Sequence, residues 1–171
     1  MQSAKITFRI IKKRTTKLFL LACLACIPAG AYSNESKTYF SKGPITINVL
    51  GGLEWMRCSI GQVWSEETCV GEPLKVPFAA ATAVLERTLA SSGEGWRLPT
   101  RNELRVLVQM NEEPPMINAD HFPATHPGSY WTSDKNRMLA NGHWVVNFYT
   151  GNNYGRAARS QSFAIRLVRD R

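Results

Sequence analysis

The stretch "WRLPTRNEL", residues 96–104, constrains the backbone more tightly than any other in the chain. A proline disfavours helical geometry in the residue before it, so Pro99 holds Leu98 extended. Thr100 stands three positions before Glu103, the spacing of a reciprocal cap: the threonine hydroxyl accepts from the Glu103 amide, and the glutamate carboxylate from the Thr100 amide. An extended segment therefore turns into a helix at Thr100, with Leu104, Leu107 and Val108 as its inward stripe. Trp96 and Leu98 are placed to pack beneath that helix, with Arg97 between them.

Helices alone cannot bury that stripe in so small a domain. Upstream, Pro77 opens another helical stretch in which Phe78, Ala81, Leu85 and Leu89 share one face while Glu86 and Arg87 point out; it ends near Ser91-Ser92-Gly93. The other apolar segments read as strands: "ITINVL", then "LEWMRC" with Leu53, Trp55 and Met56 competing for the core. Later come "SYWTS" at 129–133, "HWVVNFY" at 143–149 and "FAIRLV" at 163–168. Residues 111–128 hold four of the nine prolines and predict an irregular section ordered by packing. The expected fold class is α+β, a single domain with two helices on short antiparallel strands and long irregular loops.

The N-terminus follows different rules. Lys5, Arg9, Lys12, Lys13, Arg14 and Lys17 precede an apolar run from Leu18 to Ile27, and Ala29-Gly30-Ala31 supplies small residues for cleavage before Tyr32. The run is about half the roughly 20 residues that span a bilayer, so residues 1–31 read as a secretory signal and the mature form has no membrane span. "LLAC" and "CLAC" loosely resemble a lipoprotein signal, which leaves acylation of Cys23 or Cys26 as an alternative. Residues 32–45 are a polar lead, and the domain proper is 46–171.

Removing the signal takes six basic and no acidic residues from the chain's 21 and 13, leaving a mature charge near +2 rather than +8. The overall basicity thus gives no case for nucleic acid. A local bias remains in Arg156, Arg159, Arg166, Arg169 and Arg171 against Asp170, most simply a solvated edge strand with arginines outward. Cys58 and Cys69 are the cysteines left, an even pair in an oxidising compartment, and predict a disulfide. Closing a loop of that size contributes about 3 kcal/mol in the chain-entropy model. With His121, His126 and His143 scattered downstream, the spacing fits no zinc site.

In order along the chain, "GLEWMRC", "GQVW" with a second cysteine, an alanine-rich helical segment, "WRLPTRNEL", "INADHFP", "YWTSD", "WVVNFYTG" and a closing "RLVR" resemble the DUF1566 family. That is the domain at the C-terminus of the Legionella collagen-like adhesin, and the likeness covers about residues 50–169. The resemblance implies a C-type-lectin-like fold related to the sulfatase-modifying-factor group. It also implies an exported ligand-binding or adhesive domain with sulfated glycosaminoglycan among its ligands, and an association with virulence. The chain departs from the calcium-dependent sugar binders, having "EEPP" at 112–115 and "HWVVNF" at 143–148 where their motifs would stand, and no carboxylate cluster to supply six to eight oxygens. It also lacks a reactive cysteine pair of the oxidase kind and any Gly-x-Ser-x-Gly elbow, while Glu103 is accounted for by capping. No catalytic residue, metal or cofactor is therefore expected.

A binding surface is best placed on the loop "TGNNYGRAARSQS", residues 150–162, where Tyr154 can stack and Arg156 and Arg159 can pair with sulfate or carboxylate. The expected partner is a protein or an anionic glycan at the cell surface or beyond it, and an outer-membrane export partner is compatible with this. The alternative is an accessory component of a secretion or surface system, recognised by one envelope protein; an uncharacterised enzyme is a third class. Fractionation of expressing cells should recover the chain outside the cytoplasm with Tyr32 as its first residue. Uncleaved chain in the cytoplasm would remove both the export argument and the disulfide.

Overall fold

The computed structural model describes residues 38–171. The expected signal, with Cys23 and Cys26, lies outside the described residues. In chain order the elements are β1 (Tyr39–Lys42), β2 (Ile45–Asn48), β3 (Leu53–Met56), β4 (Val63–Ser65), β5 (Thr68–Val70), α1 (Phe78–Ser92), α2 (Arg101–Val106), β6 (Ser129–Lys135), β7 (Gly142–Asn147), β8 (Asn153–Ala158) and β9 (Val168–Asp170). Among the described residues, two helices with short, wholly antiparallel sheets make a small α+β domain. Among the described residues no helix is long and apolar enough to cross a membrane.

The first sheet has the order β1-β2-β3-β9. Its tight β2–β3 turn forms because Asn48 Oδ1 accepts from the Gly51 amide at 2.8 Å and Gly52 adopts φ +62°, which a side chain would resist. β1 lies within the polar lead: Tyr39 packs on the core and Phe40 is exposed, an alternation too short to register as a strand in sequence. β4 and β5 form a separate hairpin, tied back through the Cys58–Cys69 disulfide with Cα atoms 5.4 Å apart. The third sheet is the meander β6-β7-β8.

The helices begin and end close to where their signals stand. α1 starts directly after Pro77 and stops at Gly93, burying Ala81 and Val84. α2 is entered through the complete capping box of Thr100 and Glu103, and Leu104 and Leu107 are buried. The expected packing of Trp96 and Leu98 beneath this helix is corrected, however. They join Ala81, Val84, Trp131 and Val145 in one apolar cluster, while Leu104 and Leu107 join Trp55, Phe122, Tyr130 and Phe148 in another. The extended path imposed by Pro99 carries the two stripes apart, so the bend links the two halves of the core.

The segment "FAIRLV" also departs from expectation. Of residues 163–168, only Val168 belongs to a strand, and Ala164 to Val168 are all buried. The backbone threads between the sheets and spends its hydrogen bonds on several neighbours. Phe163 exchanges bonds with Val76, Ala164 accepts from Trp131 and donates to Ser129, Ile165 accepts from Ile60, Leu167 accepts from Met56, and Val168 exchanges with Arg97. It is a central strap covered on both sides, which explains its lack of a polar face.

Arg166 is therefore no solvated edge arginine. It is fully buried, with 0% exposure. Nη1 donates to the carbonyls of Met56, at 2.9 Å, and Arg57, and Nη2 to Thr125 Oγ1 at 2.8 Å and Ser59 Oγ at 3.4 Å. Its guanidinium carbon lies 4.9 Å from the Phe122 ring centroid and 5.8 Å from that of Tyr130. No carboxylate pairs with it among the described residues. Burial pushes its pKa below the ordinary arginine value, opposed by Tyr130. Truncation would leave two carbonyls and two hydroxyls short of a donor and open a cavity. Arg166→Ala is expected to destabilise the domain by about 3–5 kcal/mol, read from urea unfolding. A loss below about 1 kcal/mol would refute this central role.

Candidate functional site

The corner at 96–104 is closed by ionic groups as well as by its cap. Arg97 donates from Nη1 and Nη2 to the two carboxylate oxygens of Glu103, each at 2.9 Å, and from Nη2 to Asp170 at 2.8 Å. Glu103 Oε2 also accepts from the Thr100 amide at 2.7 Å, and Thr100 Oγ1 from the Glu103 amide at 3.2 Å. The hydrogen bonds from Arg97, against the opposing effect of burial, hold the Glu103 pKa down to about 2. Glu103 is thus an ionised structural acceptor. Beside it, Arg169 lies 4.6 Å over the Trp96 ring and pairs with Glu54 at 2.6 Å.

The proposed binding loop at 150–162 contains strand β8, Asn153–Ala158, a further correction. Gly155 permits this path: a Cβ there would come within 2.8 Å of the Trp144 ring, so the sequence glycine marks a close crossing rather than a flexible loop. Tyr154 and Arg156 share the exposed row of β8, and the Tyr154 hydroxyl is 3.0 Å from Thr150 Oγ1. Arg159, just past the strand, departs from them. Its guanidinium carbon lies 5.4 Å over the Phe78 ring, and it lines a different feature.

That feature is a recess of about 330 Å³, lined by Lys135, Asn136, Arg137, Leu139, His143 and Arg159 with the neighbouring Ala140 and Gly142. Its rim is the β6–β7 turn. The Asn136 amide donates to the Gly142 carbonyl at 2.8 Å, its Nδ2 donates to the Gly155 carbonyl at 2.8 Å, and its Oδ1 accepts from the Met138 amide at 2.9 Å. Gly142 leaves no room for a Cβ, which would lie 2.9 Å from Leu139 Cβ and 3.1 Å from the Gly155 carbonyl. The turn carrying Lys135 and Arg137 is therefore shaped before anything binds.

Its electrostatics are one-sided. From residue 121 onward there are seven lysines and arginines against two acidic residues. Both acids are engaged elsewhere: Asp134 accepts from the Arg101 amide at 2.7 Å, and Asp170 pairs with Arg97. Among the described residues Lys135, Arg137, Arg156 and Arg159 enter no salt bridge. Under them lies His143, 2% exposed, its ring 3.8 Å from the Phe78 centroid and 6.2 Å from that of Trp131. Burial first, then Arg159 and Lys135, depress its pKa. Neither ring nitrogen has a hydrogen-bond partner among the described residues.

Lys135, Arg137 and His143 were missed as site residues because they read as turn and strand residues. The detectable signal was "DKNRMLANG", two cations flanking an asparagine between two strands. A larger apolar cleft of about 420 Å³ beside the disulfide hairpin, lined by Trp64 and Trp96, offers less to an anion, because its cation Arg169 is already bound to Glu54.

Residues 45–169 match the family model described as the Lcl C-terminal domain. No curated protein matches the chain. The match spans β2 to β9 and leaves β1 outside it.

Glu103→Gln is expected to cost roughly 1–2 kcal/mol of stability at neutral pH, a figure discounted because Arg97 is partly exposed. A carboxylate whose pKa is lowered on folding stabilises fully above its unfolded value and loses that effect on acidification. The gap between wild type and variant should thus hold above about 4.5 and narrow as pH falls towards about 2, in urea titrations at several pH values. A gap independent of pH would show that the Arg97–Glu103 pair contributes nothing.

Proposed function

The chain belongs to the Lcl C-terminal domain family, a family with a general surface and adhesion role, and from that premise we propose that it is an exported, noncatalytic binding domain for an anionic partner. The observation that carries this reading is the set of exposed cations on the β6–β8 meander, Lys135, Arg137, Arg156 and Arg159, none of them neutralised by a carboxylate among the described residues. Arginine forks pair with two oxygens of a sulfate or carboxylate at once, and unneutralised cations cost nothing to detach from an internal partner. Tyr154, on the Arg156 row, adds a ring on which a sugar can stack. The Cys58–Cys69 disulfide fits an oxidising compartment, in keeping with the expected signal at 1–31. Contact with a host glycan or matrix protein, and with it a place in virulence, is the finer form of this reading.

Immobilised heparin tests it. The mature chain should be retained at low salt and elute as salt screens the contacts, with Arg156→Ala and Arg159→Ala each eluting earlier and the double variant earlier still. Passage through the column at low salt would refute the anionic partner. A stable stoichiometric complex with one envelope protein in its place would assign the chain an accessory role.

A further inference from the structure

Where the chain leaves α2 it makes a closed excursion. The Gln109 amide donates to the Met116 carbonyl at 2.9 Å, and Val108 and Ile117 form an antiparallel bridge, so Met110 and Met116 become neighbours at the base of a loop. Both thioethers point at the β7–β8 turn. A Cβ added at Gly151 would lie 3.0 Å from Met116 Sδ and closer still to Met110 Sδ, so two sulfurs converge on one bare Cα. That turn is itself held: Asn147 Oδ1 accepts from the amides of Tyr149 at 2.8 Å and Thr150 at 3.1 Å. With both walls fixed, little ordering remains to be done on binding. Met110 is 66% exposed and lines an open groove of about 810 Å³ with Asn102, Asn152 and Asn153. A methionine that only fills a core gap is covered by its neighbours, whereas this one is open to solvent beside a second sulfur.

We propose that Met110 and Met116 form a site for a soft monovalent cation, Cu(I) or Ag(I). Thioether sulfur is a soft, neutral donor, which selects such ions over magnesium and calcium and has no proton to lose first. In an oxidising compartment thiols are consumed as disulfides, as Cys58 and Cys69 are here, and methionine is the sulfur donor that remains. The flexible Met110 side chain closes onto the ion by rotation about its unbranched bonds. Local charge suits a cation: Glu112 and Glu113 lie on the loop between the two methionines, exposed and in no salt bridge among the described residues, while Arg105 is the one cation in the groove lining. Met138, 90% exposed on the β6–β7 turn at the other end of the meander, is a single thioether and a built-in reference. The site stands apart from the anionic-partner reading and does not depend on it.

Methyl NMR of the mature chain, labelled at the methionine Cε, tests this with silver nitrate in chloride-free buffer. No free thiol competes, since Cys58 and Cys69 are joined. The Met110 and Met116 methyl signals should shift together along one saturable curve, at least about tenfold tighter than the Met138 signal. Sodium and magnesium nitrate should move neither. Met110→Leu and Met116→Leu, which keep the apolar volume, should each weaken the response of the remaining methionine roughly tenfold or more, while Met138→Leu should leave the pair unchanged. Cu(I), kept reduced with ascorbate, should displace silver from the same two signals. Met110 and Met116 responding no more tightly than Met138, or each responding undiminished when the other is leucine, overturns the site. So does silver taken up at histidine rings with the two methyl signals unmoved.

Discussion

The domain is organised around a positive charge that pairs with no carboxylate among the described residues. Arg166 sits where the two halves of the core meet, and its donors reach the exit of β3, the disulfide segment through Ser59, and the proline-rich section through Thr125. Carbonyl dipoles and two aromatic faces solvate the guanidinium in place of water. The arrangement is directional: the fork satisfies these acceptors only when all three segments are in place. Tyr130 extends the connection, its hydroxyl 2.9 Å from Ser59 Oγ and accepting from the His126 amide at 3.0 Å. The irregular section at 111–128 is thereby held by polar contacts where it lacks regular secondary structure.

The ion pairs gather at one corner of the fold. At the "WRLPTRNEL" corner and the β3–β9 pair, Glu103, Asp170 and Glu54 are each bound to an arginine. Around the meander turn the cations are left over. Three carboxylates and two arginines are used up in those pairs, while the meander cations keep their charge unpaired among the described residues. At the corner, the densest sequence motif, the charged groups have already found partners.

The parts legible in the sequence were those written in neighbouring residues. Thr100 and Glu103 cap a helix through contacts three positions apart, Pro77 and Gly93 bracket α1, and two cysteines in an exported chain imply a bridge. What escaped depended on distant neighbours. "FAIRLV" looks like a half-exposed strand because arginine normally seeks water, and only the three-dimensional supply of carbonyls and hydroxyls makes Arg166 an interior residue. "NNYGRAA" looks like a loop because glycine and asparagine favour turns, until the Trp144 ring is seen lying over Gly155. Tyr154, Arg156 and Arg159 were found individually, but their division between an outer row and a recess follows from where β8 ends. Lys135 and Arg137 carried only the local mark of two cations flanking an asparagine, and their company with Arg159 is made by the return of the chain.

The position of the strap along the chain has a temporal consequence. Residues 163–168 are synthesised after every segment they join, and the Arg166 contacts to Met56 span 110 residues. Loop closure over such distances is slow, because entropy is lost before the contacts that compensate for it can form. The earlier strands and helices emerge before the strap that packs into both of their apolar clusters. The two halves of the core are therefore joined by a segment made after both, Ala164 and Val168 entering one cluster and Ile165 and Leu167 the other.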